Sequence, residues 1–195
     1  SAHKLYGPKG TGALFIRKGN IVKPLIDGGS QESNLRASTE NIAGIGGFGM
    51  ATELSVMNLE ENSMHINRLE KYFLHSLKEK QINFQVNGNN RVPGVLNITF
   101  FNMDGQTLVM NLDMAGIGIS FGAACASGAV KASTMLLDMG LSKKDALSTV
   151  RISFGKIHNF FSKIFFRIVY NQITSIFFCY TNFFFRANGS NNFTT

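Results

Sequence analysis

Along residues 42–80, Leu54, Met57, Met64, Ile66, Leu69, Phe73, Leu74 and Leu77 recur at spacings of three and four. Glu60, Glu61, Arg68, Lys71, Lys78 and Glu79 fall mostly on the other side. That period predicts a long amphipathic helix with one apolar stripe. Before it, residues 1–12 are dense in Gly and Lys and read as a loop, and residues 12–18 (GALFIRK) form an apolar run with strand propensity. Residues 24–38, broken by Gly28-Gly29, read as an irregular loop. After the helix the pattern alternates. Residues 83–86 and 95–101 predict strands, with breaks at Gly88-Asn89-Asn90 and Pro93-Gly94. Residues 106–114 predict a short helix capped by Asp104, and residues 117–120 a third strand. Residues 131–139 predict a helix stopped by Gly140. Ser142 opens another helix, with Asp145 placed for a capping box, and residues 150–154 form a last strand. No internal repeat is visible, and up to Gly155 the order of elements reads as α/β or α+β.

Composition bounds the class. With 195 residues, 44% hydrophobic and 16% charged, the chain can bury a core and is neither a disordered polyampholyte nor a disulfide-stapled miniprotein. The net charge of +7 invites a nucleic-acid reading, but residues 156–195 supply +4 of it and contain no acid. The 15 basic residues before Lys156 are scattered among all 12 acids, so no basic, aromatic-lined face emerges and no nucleic-acid partner is expected. The same tail holds 10 of the 18 Phe, in runs such as Phe183-Phe184-Phe185, and reads as foreign to the fold, as an out-of-frame stretch would. Its apolar run, residues 168–185, is interrupted by Asn171, Gln172, Thr174, Ser175 and Thr181, and no membrane span is expected. Cys125 and Cys179 cannot form a disulfide framework, which points to a reduced, cytoplasmic setting. Ser1 is not an initiator Met and no apolar leader follows it, so the chain reads as the interior of something longer.

Two motif-like stretches carry no chemistry. Gly44-x-Gly46-x-x-Gly49 fits a dinucleotide pattern but follows no strand; small residues at the start of a closely packed helix explain it. Gly7-Pro8-Lys9-Gly10-Thr11-Gly12 lacks phosphate-loop spacing, and the sequon at Asn97 has no meaning in a cytoplasmic chain. Three other segments are candidates. In Ser1-Ala2-His3-Lys4, a lysine amine able to form an imine stands beside a hydroxyl and an imidazole suited to a phosphate; a solvated basic loop is the alternative. Cys125 lies among Gly, Ala and Ser, where a thiolate on a small loop can swing and react; a packing cysteine is the alternative. Arg151, between Val150 and Ile152, needs a carboxylate partner, either a substrate's or a structural one, or a place at a strand edge.

Taken in order, Ser-x-His-Lys-x-x-Gly-Pro-Lys-Gly, Gly28-Gly29-Ser30-Gln31-Glu32, Arg36-Ala37-Ser38-Thr39, the Cys125 loop and Val150-Arg151-Ile152-Ser153-Phe154-Gly155 resemble the NifS/IscS-like cysteine desulfurases of the class-V aminotransferase group. The resemblance covers residues 1–155. It implies an α/β fold: the end of a fold-type-I large domain that binds pyridoxal 5'-phosphate, followed by an α+β C-terminal small domain. Residues 1–45 would close the large domain. Residues 46–155 would supply a connecting helix and the small domain with the cysteine loop, and 156–195 the atypical tail. Lys4 would be the Schiff-base lysine and proton carrier. Ser1 and His3 would hold the cofactor phosphate, and Thr39 would reach the phosphate in the other subunit of a homodimer. Arg151 would bind the carboxylate of L-cysteine. Cys125 would take its sulfur as a persulfide, leaving L-alanine, for an IscU/NifU-like scaffold and iron–sulfur cluster assembly, and in some members the same cysteine transiently ligates the nascent cluster. A selenocysteine lyase or an aminotransferase-like enzyme is the alternative within the superfamily. The chain departs from the pattern in lacking the half that carries the other cofactor ligands, so weak or no cofactor binding by this chain alone is expected. It also has Arg-Ala-Ser-Thr where Arg-Ser-Gly-Thr is usual.

Overall fold

The computed structural model describes residues 1–121 and 131–159, so the Cys125 loop and the tail from residue 160, including Cys179, lie outside it. The described residues form two compact units, Ser1–Glu61 and a second beginning at Asn62.

The first unit opens with a 3-10 turn, Ala2–Leu5, and an irregular stretch that leads to a one-turn element, α1 (Gln31–Asn34). Glu32, Ser33 and Asn34 all take left-handed angles there. Helix α2 (Ile42–Met57) follows, its N-cap Asn41 accepting a hydrogen bond from Gly44 N at 3.0 Å. The predicted strand at residues 12–18 does not form: these residues are irregular, and Leu14 and Phe15 are 75% and 88% exposed. A strand exists only where a neighbour takes its backbone hydrogen bonds, and no described residue pairs with this run. The glycine run behaves as helix packing in part. A side chain at Gly44 would strike the Thr11 hydroxyl and one at Gly47 the Pro8 ring, whereas Gly46 and Gly49 face open space.

The long helix predicted at residues 42–80 is two helices, α2 and α3 (Leu59–Glu79). Asn58 separates them. Its side-chain amide donates to Leu54 O at 2.7 Å, the local competition with backbone bonding that makes Asn a poor interior helix residue. Only the second half of the apolar stripe is buried: Leu69, Phe73 and Leu77, four residues apart, enter the core, while Leu54, Met57 and Met64 are exposed.

Among the described residues the second unit builds an antiparallel sheet of four strands in the order β1-β2-β4-β3. These are β1 (Phe84–Val86), β2 (Val95–Phe100), β3 (Ser120–Phe121) and β4 (Thr149–Ser153). Among the described residues three helices, α4 (Gly105–Met114), α5 (Thr134–Asp138) and α6 (Lys143–Leu147), lie between strands in sequence. Period-two alternation sorts each strand into two faces. Leu96, Ile98 and Phe100 of β2 and Val150 and Ile152 of β4 join Leu69, Phe73 and Leu77 of α3 and Leu108 and Leu112 of α4 in one buried core. The alternate residues Gln85, Asn97, Thr99, Thr149, Arg151 and Ser153 lie on the opposite face.

Local signals are in place. Asp104 Oδ2 accepts from Thr107 N at 2.7 Å, and Ser142 Oγ accepts from Asp145 N at 3.1 Å. Gly140 stops α5 with φ +92°, its N–H on Leu137 O and that of Leu141 on Leu136 O. Helix α5 starts three residues later than predicted, and β3 is confined to Ser120–Phe121. The loop between β1 and β2 is tied to α3 by one carboxylate: Glu70 Oε1 accepts from Arg91 Nη1 and Glu70 Oε2 from Gly94 N, each at 2.9 Å. Gly94 has φ +76°, and a side chain there would collide with Ile66.

Candidate active site

The first unit presents Ser1, His3 and Lys4 on one short turn. Ala2 anchors it from beneath: it is fully buried, its N–H donates to Thr11 O at 2.9 Å, and its carbonyl accepts from Gly7 N at 2.9 Å. Gly7 is required by that closure, since a side chain there would lie 3.0 Å from both Ala2 O and Ala51 Cβ. The Gly-Pro-Lys-Gly stretch thus brings backbone close to backbone and to α2. With Ala2 pinned, its neighbours Ser1, His3 and Lys4 are exposed. A hydroxyl, an imidazole and a primary amine on one small turn are a donor set that fits a phosphorylated aldehyde: two groups for the anion, one for the carbonyl carbon.

Thr39 is also exposed and shares no hydrogen bond with that turn among the described residues. It follows a constrained segment in which Arg36 Nη1 donates to Ala37 O at 2.7 Å and to the Ser38 hydroxyl. Ser38 has φ +116°, a region that favours glycine, and it occupies the glycine place of the usual Arg-Ser-Gly-Thr pattern. Relieving such a residue is worth about 1 kcal/mol or more. Ser38→Gly is therefore expected to raise stability by about 1 kcal/mol despite the lost hydroxyl contact, read as a higher denaturation midpoint; a lower midpoint would show that the contact outweighs the strain.

In the second unit, Arg151 stands in β4, an interior strand, on the face away from the core. It is exposed, and among the described residues it makes no ion pair; its one hydrogen bond runs from Nη2 to Ser120 Oγ at 3.4 Å. The structural ion pair that was the alternative for this residue is thus absent among the described residues. Cys125 lies outside them. No described group of His, Cys, Asp and Glu is arranged to hold a metal ion. No described helix is long and apolar enough to cross a membrane, and residues 168–185 lie outside the described set.

The residues around Arg151 carry no motif that marks them: Asn97 stands out in the sequence only as a sequon, and Asn87, Thr99 and Thr149 not at all. The alternation Leu96-Asn97-Ile98-Thr99-Phe100 beside Thr149-Val150-Arg151-Ile152 was the available signal, since it puts the polar residues of both strands on one face.

The fold and these residues define a class. The aminotransferase class-V family matches residues 1–160, and the chain belongs to that family. Within it, the chain is similar to cysteine desulfurases. It is 40% identical over 157 residues to the cysteine desulfurase IscS of Dictyoglomus turgidum (strain DSM 6724 / Z-1310), covering 80% of this chain and 40% of that protein. Among solved structures it is similar to a NifS-like protein, with TM-score 0.77 and 30% identity over 91% of this chain and 45% of that one. It is also similar to SspA in complex with cysteine, with TM-score 0.59 and 31% identity over 80% of this chain and 42% of that one. The chain spans about 40% of the length of the curated relatives it matches.

Proposed function

We propose that this chain is the part of a pyridoxal-phosphate-dependent cysteine desulfurase that carries the attachment lysine, the sulfur-accepting cysteine and the substrate-binding arginine. One observation carries the reading: the stretch that matches the family, residues 1–160, contains Lys4, Cys125 and Arg151 together in a chain similar to named cysteine desulfurases. In this reading residues 1–45 belong to the larger cofactor-binding domain, residues 46–155 to the connecting helix and an α+β small domain, and residues 156–195 to neither. Among the described residues the Arg151 guanidinium makes no ion pair and only the long hydrogen bond to Ser120 Oγ, which supports a role in binding a carboxylate with its remaining donors.

Bound pyridoxal phosphate would serve as an electron sink for the bonds at the substrate's α and β carbons. Ser1 and His3 fit its phosphate, with Thr39 serving the second subunit of a homodimer, and Lys4 fits its aldehyde. Lys4 Nζ then also moves protons at the substrate carbon. Arg151 holds the α-carboxylate of L-cysteine. The Cys125 thiolate attacks the substrate sulfur: an S–S bond forms and the carbon–sulfur bond breaks. The bonding pair stays on carbon, which takes up a proton to become the methyl group of L-alanine. Cys125 keeps the sulfur as a persulfide for an acceptor protein of the IscU/NifU kind, in iron–sulfur cluster assembly within a reduced, cytoplasmic compartment. Transient ligation of the nascent cluster by Cys125 belongs to the same proposal.

Cys125→Ala is the test. In the active enzyme it is expected to abolish sulfide and persulfide formation from L-cysteine while leaving covalent cofactor capture at Lys4 unchanged. Sulfide release at the original rate in that variant would overturn the assignment of Cys125 and favour a different reaction of the superfamily.

A further inference from the structure

The face of the sheet turned away from the core carries a directed chain of hydrogen bonds. It starts at the main-chain carbonyl of Asp145, which can only accept, and Thr149 Oγ1 donates to it at 2.7 Å. Having given its one hydrogen there, Thr149 can only accept from Thr99 Oγ1, 2.7 Å away. Thr99 has likewise spent its hydrogen, so it accepts from Asn87, whose Nδ2 lies at 2.9 Å. The atom of Asn87 that faces Thr99 must be its nitrogen, and the same nitrogen donates to Asn97 Oδ1 at 2.8 Å. The carbonyl of Asn87 faces a donor, Gln85 Nε2, at 3.3 Å. Every step follows from the first acceptor. Thr99 and Thr149 are 1% exposed and Asn87 is 5% exposed, so a reversed polarity would leave a buried group unsatisfied.

The far end of this chain is Asn97. Its carbonyl is committed inward, which leaves its NH2 group as the outward-facing end of the amide, and among the described residues that nitrogen makes no hydrogen bond. Asn97 is paired in register with Arg151, and Arg151 with Ser120, so the three form one row across β2, β4 and β3. Residues so paired share a face and stand about 4.5–5.5 Å apart at Cβ, within reach of one small anion. Beside the guanidinium, then, stands an amide whose donor end has been selected from within the fold.

We propose that Asn97 is a second ligand for the substrate carboxylate beside Arg151, with Asn87 the positioning residue that turns its amide donor-outward. This rests on the reading that Arg151 binds an amino-acid carboxylate, and it adds a specificity element: an amide NH2 and a guanidinium together favour a carboxylate over a carboxamide.

The test is a titration of the isotope-labelled chain, followed by NMR at the Asn97 side-chain amide and the Arg151 Nε–H. L-alanine supplies the carboxylate without turnover, and L-alaninamide is the control. Both signals are expected to move along one saturation curve with L-alanine and to stay still with L-alaninamide. Asn97→Ala is expected to weaken binding read at Arg151 by about tenfold, the worth of one hydrogen bond to a charged group. Asn87→Ala removes the donor that holds the Asn97 carbonyl, so the amide is no longer fixed donor-outward. It is expected to give a smaller weakening than Asn97→Ala with Asn97 intact, the backbone spectrum verifying that the sheet is formed. An Arg151 response that neither variant alters would overturn the role of Asn97 and leave the desulfurase reading standing. Absence of any response at Arg151 would overturn both.

Discussion

Lys4→Ala is expected to leave the fold untouched and to abolish specific capture of pyridoxal phosphate. Lys4 is exposed, and its turn is held by the buried Ala2 and its two backbone hydrogen bonds, none of which involves the lysine side chain. The measurement is reductive trapping: incubate with increasing pyridoxal phosphate, reduce, and map the modified lysines by mass. In the active enzyme without the substitution, Lys4 should be modified at cofactor concentrations that leave the other exposed lysines, such as Lys9 and Lys18, unmodified. In the variant the low-concentration modification should vanish, because the groups proposed for the phosphate, Ser1 and His3, cannot attach the aldehyde. In the active enzyme, turnover should fall by at least the ~10²–10⁴-fold that a positioned proton carrier contributes. Equal modification of Lys4 and the other lysines at all concentrations would show that the Ser1–Lys4 turn is an ordinary basic loop.

A second large effect is expected in the core. Phe100 is fully buried, with the Phe84 ring 6.5 Å away centroid to centroid, and it is part of the layer between the sheet and α3 and α4. Truncating such a ring removes its burial and leaves a cavity, a combined cost of about 3–5 kcal/mol. Against a total stability of about 5–15 kcal/mol, Phe100→Ala should leave the second unit barely folded. Chemical denaturation followed by circular dichroism reads this directly, with Met110→Ala, on the exposed face of α4, as a control expected to change stability by less than about 0.5 kcal/mol. A loss below about 1 kcal/mol for Phe100→Ala would mean that the sheet does not depend on this packing.

The contrast between these two residues shows which parts of the fold were legible in the sequence. Asp104, Gly140 and Ser142 act within four residues of themselves, so their effects can be read locally, and the structure places each at a helix end. The strands around Phe100 announce themselves by alternation. Residues 12–18 show the opposite case. Their propensity is that of a strand, but a strand is a relation between two segments, and the sequence of one segment does not reveal whether the other is there. Asn58 divides the long helix for a local reason outweighed by the periodicity around it. Arg151 was visible as a charge among apolar neighbours, yet whether an acid lay against it depended on which residues the sheet brings alongside. Those are Asn97 and Ser120, both uncharged. Asn97 itself was hidden because its meaning comes from hydrogen-bond direction, relayed from a carbonyl on another element.

The strand order also governs when this row comes into being. The β1–β2 pairing closes a short loop, whereas β2 meets β4 across about fifty residues of intervening chain. Contacts of such separation form late, because loop-closure entropy must be overcome before they stabilise anything. Asn97, Arg151 and Ser120 come from three strands that are neighbours only in the finished sheet. The row is complete only when β2, β4 and β3 are all paired. Under the proposed role of Arg151 and Asn97, carboxylate binding would report the fully paired sheet, and a ligand held there would shift the equilibrium toward it by mass action.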